Sequence, residues 1–263
     1  MGSIRVERRS DGCAILVLEN EPRRNALDAT MLGGLQDALA TLADDAECRI
    51  VVLRGQGENF CAGRDISELG ASEPQSDGPL RADFERLRAL AITLYDFPKP
   101  TIAVVRGYAL GLGAALVALC DLAIAEDTAR LGIPEVKVGV PPSLTTVALM
   151  RAVPLKAATR ILFTGSLIDA RHAERIGLIT EAVPGDQLEA AYERLVRELL
   201  DVSPTAVQLC KDLMRATENE GFAESVDRAL NMAMRGLRTA DDIEGRRAFL
   251  EKRRPVWNAR KPT

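Results

Sequence analysis

At 263 residues the chain is long enough to bury a large core and to form one large domain, or one domain with an appendage. A formal net charge of −4 and an aromatic content of 4% supply neither the basic field nor the stacking surfaces that hold nucleic acid. The 5 cysteines (Cys13, Cys48, Cys61, Cys120, Cys210) are odd in number and include no CxxC pair, which argues against disulfides and a zinc site and for a reducing compartment.

Met1–Ser10 carries Arg5, Arg8 and Arg9 without a following apolar core, so no signal peptide is expected. Tyr108–Cys120, the longest apolar run, is broken by glycine and bounded by Asp121, too short to span a bilayer. The final Lys-Pro-Thr is not a peroxisomal tripeptide. The expectation is a cytoplasmic protein with no membrane and no nucleic acid as partner.

Ile4–Arg8 and Ala14–Leu18 read as strands joined by an Asp11-Gly12 turn. Asp28 is placed as the N-cap of a helix that buries Leu32, Leu35, Leu39 and Leu42 at helical spacing. Ile50–Leu53 is a short apolar strand. Gly70–Pro79, polar and without periodicity, reads as a mobile surface loop near a substrate entrance. Leu80–Tyr95 is helical, with Phe84, Leu87, Leu90 and Leu94 on one face, and Pro98 and Pro100 stop it before a buried strand at Thr101–Val105. Short strands follow at Leu122–Ala125, Ala129–Ile133 and Leu178–Val183. Helices are expected at Thr159–Phe163, Ala170–Ile176, Gln187–Leu200, Pro204–Thr217 and Phe222–Leu237. No strand signal remains after about Ser203, so the expected division is a core over 1–202 and a helical region over 203–263.

Two stretches carry the chemical signal. Gly107–Glu135 opens with Gly107, Gly111 and Gly113 between apolar residues, runs through alanine, and ends on Pro134-Glu135. Glycine suits a turn where a ligand approaches backbone, so Gly111–Gly113 reads as the first turn of a buried helix with outward N–H groups; close helix packing is the alternative. Asn59–Ile66 likewise passes from a strand through small residues towards a helix, with Asp65 as N-cap or first-turn acid. Two such turns can direct two N–H groups at one oxygen.

These motifs, FCAGRDI at 60–66, GYALGLGAAL at 107–116, CDLAIA at 120–125 and LGIPE at 131–135, resemble the crotonase (enoyl-CoA hydratase/isomerase) family, and the resemblance extends to Phe249–Trp257. It implies an α/β fold, a ClpP/crotonase-like spiral of ββα repeats, followed by a helical C-terminal region that packs trimers, often paired into hexamers. It also implies an acyl-CoA thioester substrate, with coenzyme A arriving as part of the substrate and no permanently bound cofactor.

Carried over by motif, the thioester carbonyl is held by the N–H groups of Arg64 and Leu112, and Glu135 is the proton carrier, its pKa raised by burial. Leu112 stands where the family commonly has glycine, but a backbone donor needs no particular side chain. Ala115 stands where hydratases of the family carry a second glutamate. Alanine cannot hold water, so the expected reaction is double-bond isomerisation, with hydration as the alternative. Thioester hydrolysis, decarboxylation, retro-aldol cleavage and a silent acyl-CoA-binding scaffold stay open. The resemblance assigns coenzyme A contacts to Arg24 and Ala26 in Glu21–Leu27, to Ala62, Asp65 and Ile66, and to Phe249 and Lys252. A solvated basic helix end is the alternative reading for Lys252 and its neighbours. Ser143 reads as an N-cap rather than a water anchor, His172 as a solvated surface residue, and Cys61 and Cys120 as inert core thiols. No metal ligand set is assigned.

Overall fold

The fold is built on one large, mostly parallel sheet whose connecting helices cover it, with a second small sheet formed by short strands that leave it. In the computed structural model, which describes residues 2–65 and 77–257, the order is β1 (Ser3–Arg8), β2 (Cys13–Glu19), α1 (Ala29–Asp44), β3 (Ile50–Gly55), α2 (Asp77–Tyr95), β4 (Thr101–Val105), β5 (Tyr108–Leu110) and α3 (Leu112–Leu119). Next come β6 (Leu122–Glu126), β7 (Arg130–Gly132), a 3-10 turn at Pro134–Val138, α4 (Ser143–Ala152), α5 (Leu155–Thr164), β8 (Ile168–Asp169), α6 (Ala170–Arg175) and β9 (Glu181–Val183). The last helices are α7 (Leu188–Leu200), α8 (Pro204–Thr217), α9 (Phe222–Gly236) and α10 (Ala240–Leu250).

The larger sheet has the order β1-β2-β3-β4-β6-β9, antiparallel at β1–β2 and parallel thereafter. The smaller sheet is β5-β7-β8. It is extended by single bridges from Cys61 to Ala109 and from Leu27 to Arg64. Successive passes of the chain therefore stack residues 27, 61–64, 108–110 and 130–132 in one layer.

Both faces of the parallel strands are buried, which is why they read as continuous apolar runs. One face packs on α1–α3 through Leu35, Leu39, Leu90 and Leu116, with Phe97 just after α2 in the same cluster. The other packs on α7 through Leu188, Ala191, Tyr192 and Val196. α1 starts as expected: Asp28 Oδ1 accepts from Met31 N–H at 2.8 Å, and Met31, Leu32, Leu35, Leu39 and Leu42 are buried. No described helix is long and apolar enough to cross a membrane.

Several expectations need correction. The strand expected at Leu178–Val183 is paired only over Glu181–Val183, although Leu178 and Ile179 are buried in the preceding turn. Phe84 does not join the buried face of α2; it is 40% exposed. Ser143 is not the N-cap of α4: Pro142 holds that position and no side chain caps the helix. β5 and β8 had no sequence signal, being two or three residues long and flanked by glycine or polar residues. Residues 70–76 of the expected surface loop lie outside the described residues, and 77–79 begin α2.

The helical C-terminal part is anchored to the sheet by charge. Lys211 on α8 is 8% exposed; its Nζ donates to Lys99 O at 2.8 Å and pairs with Asp121. Asp121 Oδ2 also accepts from Thr101 N–H and Oγ1, each at 2.8 Å, at the edge of β4. Lys211 is buried but Asp121 is partly exposed and keeps Thr101 and Arg215, so Lys211→Met should lower the unfolding free energy by about 1–2 kcal/mol, read by urea denaturation. A loss under about 0.5 kcal/mol would mean that the contact behaves as an exposed surface pair.

Candidate active site

The two glycine-bearing turns identified in the sequence meet at backbone contact. A Cβ on Gly113 would stand 2.3 Å from Cys61 O, and a Cβ on Gly63 would stand 2.9 Å from Leu110 O and 3.6 Å from Leu112 N. Neither residue can carry a side chain without driving the turns apart. Further bonds hold the contact: Leu110 N–H donates to Cys61 O and Cys61 N–H to Tyr108 O, each at 2.9 Å.

Gly111, at φ +51°, is the N-cap of α3. The first intrahelical bond runs from Ala115 N–H to Gly111 O at 3.0 Å, so the N–H groups of Leu112, Gly113 and Ala114 precede the helical ladder. Leu112 N therefore lies beside the Gly63–Arg64 peptide at a helix N-terminus. The Arg64 side chain is directed to Asp83 of α2, away from any role that needs its charge at this turn.

The third component arrives from β7. Pro134 sets the 3-10 turn, and Glu135 on it sends its carboxylate against Gly111: a Cβ there would be 2.5 Å from Glu135 Oε1. Glu135 Oε2 is buried with no hydrogen-bond partner, and burial raises the pKa of the group above its ordinary value of 4.5. A partly desolvated carboxylate with one oxygen unpartnered, next to outward N–H groups, is suited to accept and return a proton.

The segment Glu21–Leu27 packs along the same edge. Arg24 O accepts from Ala62 N–H and Leu27 O accepts from Asp65 N–H, each at 2.9 Å, and Leu27 N–H donates to Gly63 O at 2.8 Å. The Arg24 guanidinium lies 5.2 Å from the centre of the Tyr108 ring, a cation–π contact that fixes an otherwise exposed side chain beside the turns. Ala26 is buried, and Asp65 pairs with Arg23. Thus Arg24, Ala26, Ala62, Arg64, Asp65, Leu112 and Glu135 converge. Ile66 lies outside the described residues. Phe249, 84% exposed, and Lys252 belong to a different surface, the end of α10, whose packing is on α8.

Sequence reasoning missed the residue that ties these pieces together. Asn25 is fully buried at φ +57°; its Nδ2 donates to Gln56 O at 2.9 Å and Asn59 O at 2.7 Å, and its Oδ1 accepts from Asn20 N–H at 2.9 Å. The signal available was the asparagine itself, which tolerates the left-handed region better than most residues. The other singled-out groups stay apart from the chemistry. Burial pushes the Cys61 and Cys120 thiols up to about 12, and His172 sits on α6 with its backbone N–H donating to Asp169.

Because the Glu135 carboxylate occupies the space beside Gly111, Gly111→Ala should displace it. Any proton transfer made by Glu135 should slow on the order of 10²-fold, since small misplacements of a reacting group have costs of this size. Retention of wild-type turnover would show that the seat of the carboxylate is not used.

Comparison with known proteins places this geometry. Residues 8–260 match the family model described as enoyl-CoA hydratase/isomerase. A putative enoyl-CoA hydratase of Thermus thermophilus is 40% identical over 250 residues, covering 92% of this chain and 96% of that protein. The mitochondrial enoyl-CoA hydratase domain-containing protein 3 of Rattus norvegicus is 34% identical over 251 residues, covering 95% of this chain and 83% of that protein. Among solved structures, the enoyl-CoA hydratase of Mycobacterium smegmatis superposes with a TM-score of 0.91 at 34% identity, over 97% of this chain and 98% of that one. With a model match across nearly the whole length and structural agreement over both sheets and the C-terminal helices, the chain belongs to the enoyl-CoA hydratase/isomerase family and has the crotonase fold.

Proposed function

We propose that the chain acts on acyl-CoA thioesters by proton transfer through Glu135, with the thioester oxygen accepting from the N–H groups of Arg64 and Leu112. Negative charge grows on that oxygen as the α-carbon loses its proton. Fixed donors aimed at it therefore lower the transition state more than the ground state. Arg24, Ala26, Ala62, Asp65 and Ile66 would line the path of coenzyme A. Phe249 and Lys252 would meet its nucleotide end from a neighbouring copy, where lysine suits a phosphate. Coenzyme A is part of the substrate in this reading, and no resident cofactor is required.

The reaction we favour is isomerisation of a 3-enoyl to a 2-enoyl thioester. The observation that carries it is the buried, unpartnered Oε2 of Glu135 beside an α3 turn that offers alanine at 115. One carboxylate can take a proton from the carbon next to the thioester and deliver it two carbons along. Hydration is the second reading, favoured by the Thermus thermophilus and Mycobacterium tuberculosis relatives, which are named as putative and probable enoyl-CoA hydratases.

Glu135→Gln should lower kcat for 3-enoyl-CoA isomerisation by roughly 10²–10⁴-fold with a smaller effect on binding. The ionised carboxylate is the base, so kcat/KM should rise with pH through an acidic limb lying above 4.5, and Glu135→Gln should abolish that limb. Full activity in the variant would remove Glu135 from the mechanism.

We also propose that copies of the chain assemble through the last helices, as a trimer or a pair of trimers. Along α9 and just past it, Phe222, Val226, Leu230, Met234 and Leu237 form a stripe at helical spacing, and each is about half exposed or more. Leu230→Glu should shift the mass measured by light scattering towards a single chain while helical content is kept. An unchanged mass would dismiss the stripe as the contact. The free thiols suit a reducing compartment, and we place the chain in the cytoplasm.

A further inference from the structure

One side chain near this site departs from a pattern that five helical threonines keep. Thr41, Thr146, Thr159, Thr164 and Thr217, all within or at the end of helices, return their hydroxyls to the carbonyl four residues back. Thr145, one position before Thr146 on α4, does not. It is 7% exposed and its Oγ1 is buried without a hydrogen-bond partner, while the carbonyl it would reach, Pro141 O, accepts from Ser143 N–H at 2.9 Å. Leaving a buried hydroxyl unsatisfied is destabilising, a cost that a valine of the same shape would avoid.

The packing of α4 says which way this hydroxyl belongs. Thr145, Ala148 and Leu149 are the buried residues of α4 and lie on one face, and α4 packs chiefly on α3. The two helices run in the same sense, because Ala152 at the end of α4 lines a cavity with Val117, Ala118 and Cys120 at the end of α3. Their first turns therefore share an end. On α3 that turn carries Leu112 and Ala115, and its cap, Gly111, backs the carboxylate of Glu135. Glu135 Oε2 is likewise buried and unpartnered.

We propose that Thr145 Oγ1 and Glu135 together hold one hydroxyl oxygen at the β-carbon of the bound acyl thioester, so that Thr145 supplies the hydrogen bond that Ala115 cannot. That oxygen belongs either to free water facing a 2-enoyl thioester or to the hydroxyl of a 3-hydroxyacyl thioester. In the water direction, a lone pair of the water oxygen forms the bond to the β-carbon and the alkene π pair moves towards the thioester, giving the enolate. Glu135 takes the proton released by the water and returns it to the α-carbon, so one water is added and nothing is oxidised or reduced. The reverse sequence expels water from the 3-hydroxyacyl thioester. A hydroxyl can hold and orient water without being the base, leaving Glu135 as the acid and base in both directions. This inference rests on the assignment of Glu135 as the proton carrier.

The test compares Thr145→Val and Thr145→Ser with the wild type in three assays: hydration of a short 2-enoyl-CoA, isomerisation of the matching 3-enoyl-CoA, and binding of 3-hydroxyacyl-CoA against saturated acyl-CoA. Wild type should hydrate, or bind 3-hydroxyacyl-CoA in preference to the saturated thioester. Thr145→Val should lower the hydration-to-isomerisation ratio by about tenfold or more, and Thr145→Ser should keep it within about threefold, the scale of one hydrogen bond. A loss in the hydration ratio identifies water as the held group. A selective loss of 3-hydroxyacyl-CoA binding, with saturated acyl-CoA binding kept, identifies the substrate hydroxyl. Should the valine variant fail to fold, Thr145→Ala carries the same comparison against Thr145→Ser. An unchanged ratio, a parallel fall in hydration and isomerisation, or equal losses in the valine and serine variants would overturn the proposal. So would a wild type that neither hydrates nor prefers the 3-hydroxy ligand. Isomerisation that survives Glu135→Gln would instead overturn the acid assignment itself, a result separate from any Thr145 effect.

Discussion

The site depends on one constraint, the side-chain-free contact between two turns. Gly113 lies against Cys61 O and Gly63 against Leu110 O, each within the space a methyl group would need. That contact fixes where α3 begins relative to residues 61–64. It thereby fixes Leu112 N beside the Gly63–Arg64 peptide and Gly111 beside Glu135. Glycine gives up chain entropy on folding and forgoes side-chain burial at these positions. What the fold gains is backbone donors presented at a helix start. The surrounding layer, with bridges from Leu27 to Arg64 and from Cys61 to Ala109, supplies the rigidity that keeps them there.

Electrostatics then acts on a prepared position. Glu135 reaches it from a short turn set by Pro134, and the surroundings offer its Oε2 no partner, which raises the cost of the charged form. The same surroundings would strengthen every hydrogen bond made to a bound oxyanion, because water is excluded from both. Under the proposed mechanism, the desolvation that raises the pKa of Glu135 would also strengthen the hydrogen bonds made at the two turns.

Much of this was legible in the sequence, and the parts that were not share a cause. α1 could be read from Asp28 and a run of leucines, because capping and periodicity are local signals. The meeting of the two turns was suggested by glycines with apolar neighbours and by the motif resemblance. β5 was hidden because three residues between Gly107 and Gly111 cannot show a period, and their pairing with β7 is a tertiary event. Asn25 and Thr145 were passed over for the same reason. Nothing local distinguishes a buried asparagine bridging to Gln56 and Asn59, or a threonine denied its usual helical acceptor, from polar residues at the surface. Phe84 erred the other way, since its spacing is helical but its face of α2 turns outward.

The anchoring of α8 also bears on where this chain can be divided. Its lysine enters beneath the starts of β4 and β6, and Arg215 one turn later donates to Phe97 O at 3.2 Å. The carboxylate at 121 that receives the lysine simultaneously orders Thr101. Severing the polypeptide after the last strand would uncork the sheet at the edge where its parallel strands begin, leaving an acid whose counter-ions had departed. The trailing helices thus close the edge of the sheet where β4 and β6 begin, and the part of the chain before them is not a detachable module.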